Sequence, residues 1–413
     1  MRDAMPENGP ASITGIGLVT PAGIGRSSNW ATVCSGRSTT TPLDILADAP
    51  VGFASTVPST FDIDRFTGRH LSRQYDRSTQ FALVAAQAAL NDAELTPTVR
   101  SDARIAVVIG TAFGGIHTFE DNHTRFHTTG PTAVTTRFLP KGLVNMVSGI
   151  LSIELRATGP NLVTSTACAS GATALGVGLD LLRADSADIV IAGGTDASVT
   201  PLLVAGFHKL RALSRSQHRL RQASRPFDRD HDGFVLAEGA GILTLERGSD
   251  AAQRGARTYA KLAGYGATAD AHHITAPHPE GRGAKEAIHA ACRDAGIAPG
   301  DIEHVNAHAT STPTGDSIEA AVLAEMTPNA VVTSTKGVTG HTMGAAGAIE
   351  AAYTALALSS QTIPPVAHLE QPCAAARALD LVTGAPRTGT FETALSNSFG
   401  FGGHNAVLAF TRT

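Results

Sequence analysis

The sequence predicts an α/β protein built from two similar halves. Two observations carry this reading. Apolar strand-like runs alternate with helical patterns along the chain, and short segments recur in the same order in its first and second parts. Such alternation implies parallel βαβ units. The 413 residues are 42% hydrophobic and 16% charged, enough apolar content for a large core.

Residues 1–10 are polar, contain Pro6 and Pro10, and read as an N-terminal tail. They lack a basic segment followed by an apolar run, so no signal peptide is expected. Ile13-Thr14-Gly15-Ile16-Gly17 then opens the first half, and Leu262-Ala263-Gly264-Tyr265-Gly266 opens the second. A helical pattern closes on Ala88 to Ala93, as another does on Ala290 to Ala295. Each is followed by an apolar strand, Ile105 to Ile109 and Ile302 to Ala307. The segment Val163-Thr164-Ser165-Thr166 recurs as Val332-Thr333-Ser334-Thr335. The halves meet near residue 255, giving 11–255 and 256–413. In such folds the site lies where strands end and loops from both halves meet. Cys168 and Lys336, each just beyond a Val-Thr-Ser-Thr segment, are therefore expected to face one site.

Asn161 to Thr166 reads as a buried strand, and Ala167 onward as a helix with Ala172, Leu175, Leu179 and Leu182 at helical spacing. Cys168 falls on the first turn of that helix. Free N–H groups and the partial positive charge there are expected to lower its pKa from about 8.5. The plainer reading of this position is a buried cysteine capping a helix. Cys34, Cys292 and Cys373 lack the setting, and no CxxC pair suggests a disulfide framework or zinc site. His308 lies in a run of small and hydroxylated residues, Asn306 to Asp316, that follows a strand. His341 lies in the Gly-rich run Lys336 to Gly347, where Lys336 and Glu350 are placed to form a buried pair. Ser396 to Asn405 is rich in glycine and precedes an apolar strand, so its backbone N–H groups suit an oxyanion beside a nucleophile.

Other patterns are decoys. Asp228 to Gly233 begins like a calcium loop, but the twelfth position is Gly239 instead of a bidentate Glu. His123 and His127 share a helical face without an HExxH motif, and no phosphate-binding glycine loop is present. A net charge of −4 gives no reason to expect nucleic acid, and no run of about 20 apolar residues suggests a membrane span. A cytoplasmic location is the default expectation.

One cysteine and two histidine loops in this order resemble the elongating class of β-ketoacyl-acyl-carrier-protein synthases. The resemblance rests on Thr166 to Gly171, Arg225-Pro226-Phe227-Asp228 continuing to Asp232-Gly233-Phe234-Val235, Asn306 to Asp316, Lys336 to Gly347 and Asn397 to Asn405, and it covers roughly residues 11–412. It implies a thiolase fold with a layered α/β/α/β/α core, and usually a dimer. It implies that Cys168 takes an acyl group from the phosphopantetheine of a carrier protein. Malonyl carrier protein then loses carbon dioxide with help from His308 and His341, and the carbanion attacks the acyl thioester. Lys336 and Glu350 resemble the family's supporting pair, and the N–H groups of Cys168 and Phe401 its oxyanion hole. Thr275, Thr310 and Thr312 stand where the family contacts pantetheine, with Phe399 and Phe401 beside the substrate and Phe401 as a gate. No metal or resident cofactor is implied, since phosphopantetheine arrives on the carrier protein.

The sequence departs from the family pattern at Ala309, often Gly, at His404, often Thr, and at Phe113, where a smaller residue often lines the acyl pocket. Arg65, Arg69 and Arg73, with Lys209, Arg211, Arg215, Arg219 and Arg221, suit a docking rim for an acidic carrier protein. The leading expectation is an elongating synthase of type II fatty-acid synthesis, acting as a homodimer. Alternatives are the catalytic ketosynthase of a type II polyketide system, as a heterodimer with a chain-length partner, a thiolase using free coenzyme A, and a non-catalytic subunit that only binds carrier protein.

Overall fold

The computed structural model describes residues 9–95, 103–216 and 218–413. The expected tail lies, apart from Gly9 and Pro10, outside the described residues. The principal strands are β1 (Ala11–Thr20), β2 (Ile105–Gly110), β3 (Asn161–Thr164), β4 (Ile189–Ala197), β5 (Glu238–Arg247), β6 (Lys261–Ala269), β7 (His304–Asn306), β8 (Val331–Thr333), β9 (Thr393–Gly400) and β10 (His404–Thr411). The helices that position the site are α1 (Arg77–Asp92), α2 (Ile116–Thr129), α3 (Met146–Leu155), α4 (Ser170–Arg183), α5 (Pro201–Lys209), α6 (Arg282–Ala295), α7 (Pro313–Met326) and α8 (Ala346–Ser360).

The strand order is β1-β5-β4-β2-β3 in the first half and β6-β10-β9-β7-β8 in the second. Numbered within each half, both read 1-5-4-2-3. Pairing directions match as well: two antiparallel pairs, then two parallel pairs. The sheet is thus mixed in both halves, where the alternation of elements alone suggested parallel units. The halves join where Ala11 and Ser12 of β1 pair with Leu262 and Lys261 of β6. The recurring segments fall on equivalent elements: the Gly-rich openings on β1 and β6, the alanine runs at the ends of α1 and α6, and the Val-Thr pairs at the ends of β3 and β8. Residue 255 lies in the connection between β5 and β6.

Strand alternation explains the layers. Along β2, Ile105, Val107 and Ile109 pack with α1 and α3, whereas Ala106 and Val108 face the cluster that contains Leu175 and Leu179 of α4 and Ile349 and Leu356 of α8. Along β10, Ala406, Leu408 and Phe410 face that same central cluster, whereas Val407 and Ala409 pack with α6 and α7. The result is an α/β/α/β/α stack with α4 and α8 in the middle. Residues Ala346 to Leu358 of α8 are buried on every side, as expected of a helix apolar all round.

The central helices touch through small residues. A Cβ on Gly171 would lie 2.8 Å from the backbone nitrogen of Ala348, and one on Gly347 would lie 2.8 Å from that of Ala172. Both contacts are to backbone, which cannot swing aside. Gly171→Val is expected to lower unfolding stability by about 1–3 kcal/mol through overpacking, read as an earlier urea midpoint. An unchanged midpoint would show that the two helices separate without cost.

Candidate active site

The two Val-Thr strand ends deliver the reacting groups. Beyond β3 the chain does not enter the helix at once, as the sequence pattern suggested. Ala167 takes φ +51, and residues Ala167–Ala169 form a 3-10 turn before α4. That backbone is costly for a residue with a Cβ. It is held by the Thr166 N–H donating to Ser170 Oγ at 2.9 Å and by Ser170 Oγ–H donating to the Ala167 carbonyl at 2.6 Å. Cys168 sits on this elbow. The preceding strand is also shorter and less buried than expected. It ends at Thr164, and Asn161 and Leu162 are exposed because β3 is an edge strand of the sheet, paired through β2.

The elements of the second half close over the sulfur. His341 Nε2 lies 3.1 Å from Cys168 Sγ. The His308 and His341 rings are 5.4 Å apart, edge to face. One ligating atom from each of the three side chains falls within 4.8 Å of the others. His341 is pinned by its backbone: its N–H donates to Val235 at 2.8 Å and its carbonyl accepts from Ala237 at 3.0 Å. The His308 loop is held from α7, since Glu319 accepts the N–H groups of His308 at 2.9 Å and Ala309 at 2.7 Å, together with the Asn397 amide at 3.1 Å. Asp316, one turn earlier, accepts the Ser311 N–H at 3.0 Å and the Phe227 N–H at 2.8 Å, and pairs with His231. The acidic run resembling a calcium loop thus braces the His308 loop through His231 and Asp316. Its Asp228 carboxylate accepts N–H groups of Asp230, Glu370 and Gln371. The bracing role of Asp316 and Glu319 was missed in the sequence. Its signal is Pro313 at a helix start with two acids three residues apart on one face.

Lys336 and Glu350 meet as a fully buried ion pair. Burial holds both His308 and His341 well below the usual imidazole range, and the Lys336 ammonium adds to this, so both rings are neutral at pH 7. Burial likewise pushes Glu350 up to about 7, with Lys336 pulling the other way. The Cys168 thiol is raised rather than lowered. Burial pushes it up to about 12, against the pull of Lys336 and of the Phe401 and Cys168 N–H groups. Helix-end stabilisation is outweighed by the cost of a buried anion. The same Lys336 charge opposes a metal cation among these three ligands.

A cavity of about 310 Å³ reaches Cys168, His308 and His341. Thr275, Thr310, Thr312, Phe399, Phe401 and Arg211 also line it. The Thr310 and Thr312 hydroxyls are 3.0 Å apart. The turn between β9 and β10 brings Phe401 to the sulfur, and a Cβ on Gly400 would lie 3.1 Å from the Cys168 nitrogen. Phe113, expected in the acyl pocket wall, is not part of the cavity lining. It packs edge-on at 6.2 Å against Phe207, which does line it. Of the basic residues expected in a docking rim, Arg211 reaches the cavity and Lys209 ends α5 beside it. Arg65 and Arg69 are not among the residues lining it, and the Arg69 guanidinium is engaged by Glu154.

The β-ketoacyl synthase N-terminal domain matches residues 9–251, and the β-ketoacyl synthase C-terminal domain matches residues 259–370. The chain belongs to the β-ketoacyl synthase family. It is 42% identical to 3-oxoacyl-[acyl-carrier-protein] synthase 2 of Synechocystis sp., over 97% of each chain. Its fold matches the ishigamide ketosynthase/chain length factor with a TM-score of 0.91 at 31% identity, covering 98% of this chain and 99% of the other. It also matches a type II polyketide ketosynthase solved with its acyl-carrier protein, with a TM-score of 0.90 at 29% identity over 98% and 99% of the two chains. The expected thiolase fold and condensing acyltransferase class therefore hold. No helix among the described residues is long and apolar enough to cross a membrane.

A thiol raised this far fixes the pH response of this ketosynthase. The thiolate fraction, and with it the rate of alkylation of Cys168 by iodoacetamide, is expected to rise about tenfold per pH unit, with no plateau below pH 10. Peptide-resolved alkylation rates from pH 6 to 10 check this, and a plateau near pH 8 would show a thiol that ionises normally.

Proposed function

We propose that this ketosynthase condenses an acyl group held on Cys168 with malonyl-acyl-carrier-protein, giving 3-ketoacyl-acyl-carrier-protein in type II fatty-acid synthesis. The observation that carries the proposal is the approach of His341 Nε2 to Cys168 Sγ at 3.1 Å, with a second neutral imidazole alongside. In acyl transfer the sulfur attacks the incoming thioester as its proton leaves through His341 and ends on the departing pantetheine thiolate. An acyl thioester on Cys168 and a free pantetheine thiol result. Malonyl carrier protein then breaks its carboxylate carbon bond, releasing carbon dioxide. The electron pair is held as an enolate whose oxygen accepts hydrogen bonds from His308 and His341. Neutral imidazoles donate those bonds without protonating the carbanion early. The carbanion attacks the acyl carbonyl, whose oxygen takes the Cys168 and Phe401 N–H groups. Collapse expels the Cys168 thiolate, which takes a proton from solvent, so each turnover consumes one proton.

Lys336 and Glu350 act behind these groups, holding the imidazoles neutral and the loop in place. Thr275, Thr310 and Thr312 suit the amides of the pantetheine arm, and Phe399 and Phe401 flank the thioester. Phosphopantetheine is delivered by the carrier protein, so no resident cofactor is required. Arg211 and Lys209 supply positive charge beside the cavity for an acidic carrier. Leu139, Leu143, Val144, Ile153 and Leu162 are large, exposed and close in sequence, which suits the apolar face of a homodimer. The proposed setting is the cytoplasm, with the carrier protein in solution. The type II polyketide reading ranks second, because the ketosynthases of that kind are 31% and 29% identical where the fatty-acid relative is 42%. Convergence of Cys168, His308 and His341 disfavours a non-catalytic subunit.

Intact-protein mass spectrometry with acyl carrier proteins of several lengths tests the reading. Acyl addition at Cys168, followed by a 3-ketoacyl product once malonyl carrier protein is added, is expected; no addition from any active donor would remove it. Cys168→Ala is expected to lose acylation entirely while keeping the fold. His308→Ala is expected to slow condensation by at least about a hundredfold while leaving acylation measurable, and equal loss of both steps would deny it a separate role in decarboxylation.

A further inference from the structure

Asp196 is the next-to-last residue of β4 and is fully buried. It touches neither imidazole nor the cavity, yet its carboxylate receives four donors from two directions. Oδ1 accepts the Thr111 hydroxyl at 2.7 Å and the Phe113 N–H at 3.1 Å. Oδ2 accepts the Ala112 N–H at 2.9 Å and the Gly344 N–H at 2.7 Å. Thr111 to Phe113 follow β2 in the first half, whereas Gly344 stands three residues after His341 in the second. The turns are crowded at this point. A Cβ on Gly344 would lie 2.5 Å from Asp196 Oδ2 and 2.5 Å from the Ala112 nitrogen. Met343, next to it, takes φ +53 and lines the cavity.

What Asp196 holds determines the apolar wall. Phe113 packs edge-on against Phe207, Phe207 against Phe234 at 5.4 Å, and Phe234 against His341 at 5.3 Å. This row of rings runs from the Phe113 turn to the imidazole beside the sulfur. Cys168 packs in the same cluster. An acyl chain on Cys168 that runs to this side of the cavity meets Phe207 first and Phe113 behind it. A shift of the Phe113 turn away from the cavity breaks its bonds to Asp196.

We propose that Asp196 is a positioning residue that clips the Phe113 turn of one half to the turn after His341 in the other, and thereby sets the longest acyl group Cys168 accepts. The inference rests on acyl transfer to Cys168 as proposed above. A carboxylate is required because all four partners are donors. An asparagine turns an N–H₂ group toward some of them, leaving buried donors unpaired, and a lost hydrogen bond to a charged group is worth about tenfold or more in an equilibrium.

The charge supplies a second signature. Burial is the main reason the Cys168 thiol is pushed up, and the negative charge of Asp196 adds to it. Asp196→Asn therefore has two separable effects. Thr111→Val removes one donor and keeps the charge.

The test measures acylation of Cys168 by short-chain and long-chain acyl carrier proteins in competition, and the pH dependence of Cys168 alkylation, for the wild type and both variants. Asp196→Asn is expected to raise the long-over-short ratio about tenfold and to shift the alkylation profile to lower pH. Thr111→Val is expected to raise the ratio by a smaller factor with the alkylation profile in place. Unchanged ratios in both variants, or a uniform loss at every length, would overturn the inference while leaving acyl transfer intact. Should Asp196→Asn not fold, Thr111→Val decides the chain-length arm alone. A wild type that is never acylated would instead remove the proposed function on which this rests.

Discussion

The contact between α4 and α8 is the constraint on which the rest of the site depends. Two helices whose backbones pass this closely need glycine and alanine at the crossing, and Gly171, Ala172, Gly347 and Ala348 supply them from both sides. The crossing fixes where each helix begins, and each begins just beyond the turn that carries chemistry. Cys168 precedes α4, and His341 precedes α8 by a few residues. Larger residues at the crossing would move the sulfur away from the imidazole. A separation of 3.1 Å between atoms from different halves is therefore set by helix packing more than by the loops themselves.

Burial then decides the charge states. The site holds a thiol, two imidazoles, an ammonium and several carboxyl groups away from water, and the medium resists every isolated charge. Lys336 faces Glu350 as its buried partner. The imidazoles stay neutral because burial and the ammonium both act against their protonation. Neutral rings are what a carbanion can tolerate nearby. The thiol needs help from the imidazole at the moment of attack, since it does not ionise by itself at neutral pH.

Much of this was legible in the sequence. The Val-Thr-Ser-Thr repeat marks equivalent strands of the two halves, and Cys168, His308 and His341 stand out by their small, hydroxylated neighbours. Four things were not legible. Sheet direction depends on which distant strands pair, so the mixed sheet was read as parallel. The rise in the Cys168 pKa depends on how deeply the elbow is covered, which local helix position does not reveal. Asp316, Glu319 and Asp196 act through backbone groups of other segments, and only the folded chain shows which N–H groups those are. Phe113 was read as a wall of the pocket, whereas the fold places it one ring further back.

The buried thiol also bears on oxidative damage. Peroxides attack thiolates, and the path to sulfenic and sulfinic acids starts from the ionised sulfur. A cysteine held protonated until a substrate arrives offers little thiolate to an oxidant, even though the cavity reaches its sulfur. The burial that makes Cys168 slow to ionise thus lengthens the working life of an enzyme whose nucleophile cannot be replaced once it is over-oxidised.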